Sequence, residues 1–132
     1  MRCFFILILL IIQLPLKAQN FWQKASPIPK NETPMLISGQ GTFIYVLSTS
    51  GVLFRSEDKG KNWQEMLQCD LAGRALYTMG SVILVSDETF VYCSKDQGLS
   101  WTKSSFPGNY PPAGFFIHSS GAYFALSGDL IS

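Results

Sequence analysis

Short apolar runs alternate with Gly, Ser or charged clusters along almost the whole chain beyond residue 30. No stretch there sustains a helical period. Runs at 35–38, 42–48, 52–56 and 62–66 are rich in β-formers and bounded by turn residues. A second set follows at 75–79, 82–86, 89–94 and 100–104, and a third opens at 114–118, 122–127 and 129–132. Phe43-Ile44-Tyr45-Val46-Leu47 is continuously apolar, which predicts a strand covered on both faces. The pattern predicts short strands in groups of four.

Two of these groups share a motif. Ser56-Glu57-Asp58-Lys59-Gly60-Lys61-Asn62-Trp63 and Ser94-Lys95-Asp96-Gln97-Gly98-Leu99-Ser100-Trp101 both read Ser-x-Asp-x-Gly-x-x-Trp, 38 residues apart. Upstream, Gly41-Thr42-Phe43-Ile44 is matched by Gly80-Ser81-Val82-Ile83, and Gly121-Ala122-Tyr123-Phe124 opens a third copy. Trp22-Gln23-Lys24-Ala25-Ser26-Pro27 resembles Trp101-Thr102-Lys103-Ser104-Ser105-Phe106, the end of a unit. Four strands in about 40 residues, repeated, predict an all-β fold: a partial β-propeller of four-stranded antiparallel blades.

The motif resembles the Asp-box, or BNR repeat, of sialidases, sortilin-type receptors, some xyloglucan hydrolases and photosystem-assembly propellers. Ser100 fits that family's usual residue before the Trp, while Asn62 departs from it. The resemblance implies that each motif forms the hairpin between the third and fourth strands of a blade. The expected organisation is a leader at 1–18 and an incomplete propeller at 19–132. Within it, 19–29 is a closing outer strand, 30–68 and 69–107 are blades, and 108–132 is a partial blade. Two full and two partial units do not close a ring of 4–8 blades. The expectation is a fragment of a longer propeller, with self-association of copies as the alternative.

The first stretch has a different pattern. Met1-Arg2-Cys3 precedes the apolar run Phe4 to Ile12, and Pro15 and Lys17-Ala18-Gln19 follow. A core of about a dozen residues falls short of the roughly 20 needed to span a bilayer. This is the layout of a secretory signal peptide cut between Ala18 and Gln19, with an uncleaved anchor as the alternative. The expected location is periplasmic or extracellular, with no membrane span after cleavage.

Composition narrows the partners. The formal charge is +1, and loss of Arg2 and Lys17 with the leader makes it −1. With no basic run, a nucleic-acid partner is not expected. After cleavage only Cys69 and Cys93 remain, and the expectation is two separate thiols rather than a bridge. With a single histidine and no Cys-x-x-Cys, neither metal nor cofactor is expected.

The motif residues Ser56, Asp58, Gly60, Trp63, Ser94, Asp96, Gly98 and Trp101 are expected to be structural. Gly60 and Gly98 tolerate positive φ, Asp58 and Asp96 accept turn N–H groups, and the tryptophans cover the hairpin base. Resemblance to sialidases would require three arginines on the substrate carboxylate. The mature chain has only Arg55 and Arg74, and Ser26-Pro27-Ile28-Pro29 lacks the Arg of the family's Phe/Tyr-Arg-Ile-Pro motif. Asp70, Asp87, Glu88 and Asp129 read as solvated loop charges rather than a hydrolytic pair. His118 on an inner strand, with Tyr110 and Phe115 in an aromatic, proline-rich stretch, are ligand-surface candidates. The leading expectation is an exported, non-catalytic module that binds a protein or glycan or serves assembly. The alternative is the N-terminal part of a sialidase-like or other glycoside hydrolase with its catalytic groups beyond residue 132.

Overall fold

Tight turns between β-rich runs can only return the chain beside itself, so consecutive strands pair antiparallel. The computed structural model, which describes residues 25–106, 112–117 and 123–126, follows this rule throughout. Strands β1 (Pro34–Gln40), β2 (Phe43–Ser48), β3 (Val52–Ser56) and β4 (Gln64–Gln68) form one four-stranded sheet in chain order. Strands β5 (Ala75–Met79), β6 (Val82–Ser86), β7 (Phe90–Ser94) and β8 (Thr102–Ser105) form a second. A third sheet holds β9 (Gly114–Ile117) and β10 (Tyr123–Leu126). The chain is all-β, an unclosed set of propeller blades. The leader, Trp22, Tyr110, His118, Asp129 and the expected strand at 129–132 lie outside the described residues.

The fourth strand of each blade begins two residues later than expected, at Gln64 and Thr102 rather than at 62 and 100. The cause is local: the N–H groups of Asn62 and Ser100 point to Asp58 and Asp96 inside the turn and cannot enter the ladder. Asn62 and Ser100 end the hairpin instead of starting a strand.

Strand alternation gives each sheet two faces. Pairing puts Leu36, Ser38, Tyr45, Leu47, Leu53 and Arg55 on one side of the first sheet. Ile37, Gly39, Ile44, Val46, Phe54 and Ser56 lie on the other. In the second sheet Leu76, Thr78, Ile83, Val85, Tyr92 and Ser94 share a side. The core forms where the first side of the first blade meets this side of the second. Tyr45, Leu47, Leu53, Cys69, Ile83, Val85 and Tyr92 are buried together there, with Leu36, Met66, Leu76 and Trp101 against them. The innermost strands touch through a hydrogen bond between the Ser38 and Thr78 hydroxyls, 2.7 Å. At the opposite edge Arg55 Nη1 donates to the Gln97 carbonyl at 3.0 Å, its guanidinium 5.1 Å from the Phe43 ring centre.

Cys69 is buried and Cys93 half-buried, and both are free thiols. Among the described residues no helix is long and apolar enough to cross a membrane.

Candidate functional site

The repeated motif builds the same object twice. A serine at the end of the third strand, buried in both blades, turns its hydroxyl into the hairpin. Ser56 Oγ accepts from Gly60 N at 2.8 Å and donates to Asp58 Oδ1 at 2.9 Å. Ser94 Oγ does likewise, accepting from Gly98 N at 2.7 Å and donating to Asp96 Oδ1 at 2.8 Å. Asp58 Oδ1 also accepts from the N–H groups of Lys61 (3.0 Å) and Asn62 (2.8 Å), and Oδ2 takes the Asn62 amide at 2.6 Å. Asp96 accepts the Ser100 N–H at 2.9 Å on Oδ1 and the Ser100 hydroxyl at 2.5 Å on Oδ2. Asn62 therefore performs the second-oxygen contact that Ser100 makes, which is how the departure at Asn62 is absorbed.

These bonds set the acidity of the two carboxyls. Asp58 is held at about 2, first by the Asn62 backbone N–H and then by the Asn62 amide, with Ser56 and Lys61 adding. Asp96 is held at about 2, first by the Ser100 hydroxyl and then by its backbone N–H, with Ser94 adding. A carboxylate stabilised this way stays an anion at neutral pH and is a poor proton donor.

The tight turn needs more left-handed backbone than the glycines alone. Gly60 (φ 81°) and Gly98 (φ 90°) are each preceded by a residue with positive φ, Lys59 (63°) and Gln97 (60°). The aspartate bonds hold both residues in this conformation. Each tryptophan ring lies over its glycine: a Cβ built on Gly60 would be 3.4 Å from Trp63 Cζ2, and one on Gly98 3.5 Å from Trp101 Cζ2.

The two hairpins differ in what they touch. Trp101 Nε1 donates to the Gly98 carbonyl of its own turn at 3.1 Å. Trp63 Nε1 instead donates to the Ser26 carbonyl at 3.0 Å, and Ser26 N returns a bond to the Gly60 carbonyl at 2.8 Å. A Cβ on Gly60 would meet Ala25 Cβ at 2.9 Å, and one on Gly98 would meet Met66 Cε at 2.8 Å. Ala25 thus stands to the first hairpin as Met66, on β4, stands to the second.

Of the four loop carboxylates, Asp87 is not the solvated charge expected: its exposure is 0%. Oδ1 accepts from Thr89 N (2.8 Å) and Phe90 N (2.7 Å), and Oδ2 from the Tyr92 hydroxyl (2.9 Å) and Leu71 N (3.3 Å). Burial alone would raise its pKa, but these donors outweigh burial and leave it lowered. The Tyr92 oxygen in turn accepts from Asp70 N at 3.0 Å, tying the inter-blade connection to the second blade. Burial first, then Asp87 and Asp70, push the neighbouring Cys69 thiol up to about 12. Asp70 is paired with Lys103 and Glu88 with Arg74, both on the surface. Asp129 lies outside the described residues. The available signal for Asp87 is an aspartate opening a turn between two predicted strands, two and three residues before usable N–H groups.

Among the ligand-surface candidates, Phe115 is half-buried on β9. Tyr110 and His118 lie outside the described residues. Two polar grooves flank the first hairpin. One, of about 390 Å³, is lined by Arg55, Glu57, Asp58, Asn62, Trp63 and Gln64. The other, of about 420 Å³, includes Thr42, Ile44, Lys59 and Lys61. A larger apolar groove, about 620 Å³, lies between the segment 25–28 and the first sheet.

No protein-family model matches the chain, and no curated protein matches it. Among solved structures the chain is similar to one described as YCF48 bound to D1 peptide. The TM-score is 0.60 with 21% identity, over 83% of this chain and 39% of that one. At this identity the likeness establishes the fold, and the chain spans well under half the length of that structure.

Proposed function

We propose that this chain is an exported piece of an Asp-box propeller that acts as a non-catalytic binding or assembly module. Its reading divides into the leader at 1–18, a closing segment at 19–29, blades at 30–68 and 69–107, and a partial blade at 108–132. The observation that carries it is the occupancy of the prominent carboxylates: Asp58, Asp96 and Asp87 each spend both oxygens on their own turn or its neighbours. Such groups hold a scaffold in shape and offer no free oxygen for acid–base or nucleophilic work. The fold likeness to a propeller solved with a peptide bound supports a protein segment as the partner class. The polar grooves beside Trp63, with Arg55, Lys59 and Lys61 near them, offer an amphipathic surface for it.

The test is to probe the purified exported chain in parallel on a peptide array, a glycan array and fluorogenic sialoside and xyloglucan substrates. The expected result is saturable peptide binding that weakens when Trp63→Phe or Lys61→Glu is introduced, with no turnover. Binding confined to glycans would replace the partner class. Turnover abolished by Asp58→Asn or Asp96→Asn would overturn the reading.

A further inference from the structure

The two blades present equivalent faces to the preceding unit, and only one of them is covered. Ile37, Ile44, Val46 and Phe54 on the first blade stand in the repeat positions of Leu76, Ile83, Val85 and Tyr92 on the second. The second set is sealed beneath the first blade, with Ile83 at 1% and Val85 at 0% exposure. On the first blade Ile37 is 74% exposed, and the groove of about 620 Å³ opens over Ile37, Ile44 and Val46. The segment 25–28 covers only the outer border of this face, where Ala25 replaces the Met66 of a full blade. What is missing is the body of a blade whose fourth-strand position is already filled.

We propose that this face seats the trailing unit of a second copy of the chain, in a head-to-tail contact that repeats the inter-blade contact inside each copy. The chain carries both halves of that contact, as the packing of its first blade on its second demonstrates, so an identical copy brings a complementary surface. The trailing unit also presents an aromatic anchor: Phe116 on β9 is 54% exposed. An aromatic side chain entering a preformed apolar groove is the usual centre of a stable interface. A formal charge of only +1 does not oppose association of like copies. Because the contact joins different patches of the two copies, it either closes into a ring or extends as a series. The proposal is independent of the ligand class, and its test involves no ligand.

The experiment is sedimentation and native mass spectrometry of the wild-type exported chain and of two variants, Ile37→Lys on the seat and Phe116→Ser on the trailing unit. The wild type is expected to form discrete multiples of the monomer. Each variant should weaken association by roughly 30-fold, the scale of one interface hot spot, with unchanged far-UV circular dichroism. The distinguishing prediction concerns the mixture: Ile37→Lys keeps an intact trailing unit and Phe116→Ser an intact seat. Mixed, they should form a 1:1 dimer that grows no further, with hydrogen exchange slowed across residues 35–46 of the Phe116→Ser copy. A monomeric wild type at about 100 μM, oligomers indifferent to Ile37→Lys, or a mixture that remains monomeric would each overturn the proposal. Should either variant lose its β signal, Ile37→Ser and Phe116→Leu carry the same comparison at smaller amplitude.

Discussion

The first and second blades have nearly the same pattern, the same hairpin and the same strand order, yet their faces toward the preceding unit end in opposite states. Ile83 and its neighbours are sealed in the core, whereas Ile37, on the matching face of the first blade, stands largely in solvent. The strand pattern specifies which side of a blade is apolar. Whether that side becomes core depends on what is stacked against it. The hairpins show the same division. Their internal bonds are almost superimposable, but Trp101 closes on its own turn while Trp63 reaches across to Ser26. Local chemistry builds each unit, and contacts between units decide how stable it is.

The largest expected effect breaks this comparison directly. Ile83→Ala should cost about 2–5 kcal/mol, because a sealed site collapses poorly around the void. Ile44→Ala, its repeat equivalent on the half-covered face, should cost about 1 kcal/mol in the isolated chain. Urea unfolding of both variants checks the pair, and equal costs would show that the two faces are equally covered.

Next in size is the buried serine. Ser94→Ala leaves the buried Gly98 N–H without its acceptor, which should cost about 1–3 kcal/mol. Ser56→Ala should match it in thermal unfolding, since Gly60 N has the same acceptor. A large difference between the two would mean that the hairpins are not interchangeable units.

The glycines sharpen the contrast between hairpins. Alanine at either position carries about 1–2 kcal/mol of left-handed strain. At Gly98 the added methyl meets the end of a flexible methionine, which can move aside. At Gly60 it meets the short, stiff Ala25, so the segment 25–28 must lift. Gly60→Ala should therefore accelerate tryptic cleavage after Lys30 several-fold, and Gly98→Ala should leave that rate unchanged.

The smallest effect is the response to acid. Asp58 and Asp96 have native pKa values of about 2 against an ordinary 3.8, so each binds its proton more weakly in the folded chain than in the unfolded one. Their contribution is fully present above pH 4 and is lost as pH falls through about 2. Asp87, also lowered, acts in the same direction. The melting temperature should hold from pH 7 to about pH 4 and then decline. Asp96→Asn should flatten the decline.

Most of the architecture was legible because it is repeated. Short alternating runs and a motif recurring after 38 residues specify four-stranded units without any knowledge of what covers them. The strand ends at Gln64 and Thr102 were less legible, because the aspartate draws two N–H groups out of the ladder. The roles of Ser, Asp, Gly and Trp could be assigned from their chemistry. The left-handed Lys59 and Gln97 could not, since nothing about Lys or Gln favours positive φ and only the surrounding bonds impose it. Asp87 was misjudged for a related reason. Its charge suggests solvent, but its burial depends on Leu71 and Tyr92, which reach it from elsewhere in the fold.

The central claim is that the repeated aspartates are turn-building anions rather than a reactive pair. Carbon-13 NMR titration of the Asp58 and Asp96 carboxyl carbons in the folded chain tests it most directly. The account predicts two separate midpoints at about 2, each abolished only by changes within its own hairpin. A midpoint at or above 4 for either aspartate, or coupled titration of the two, would contradict it.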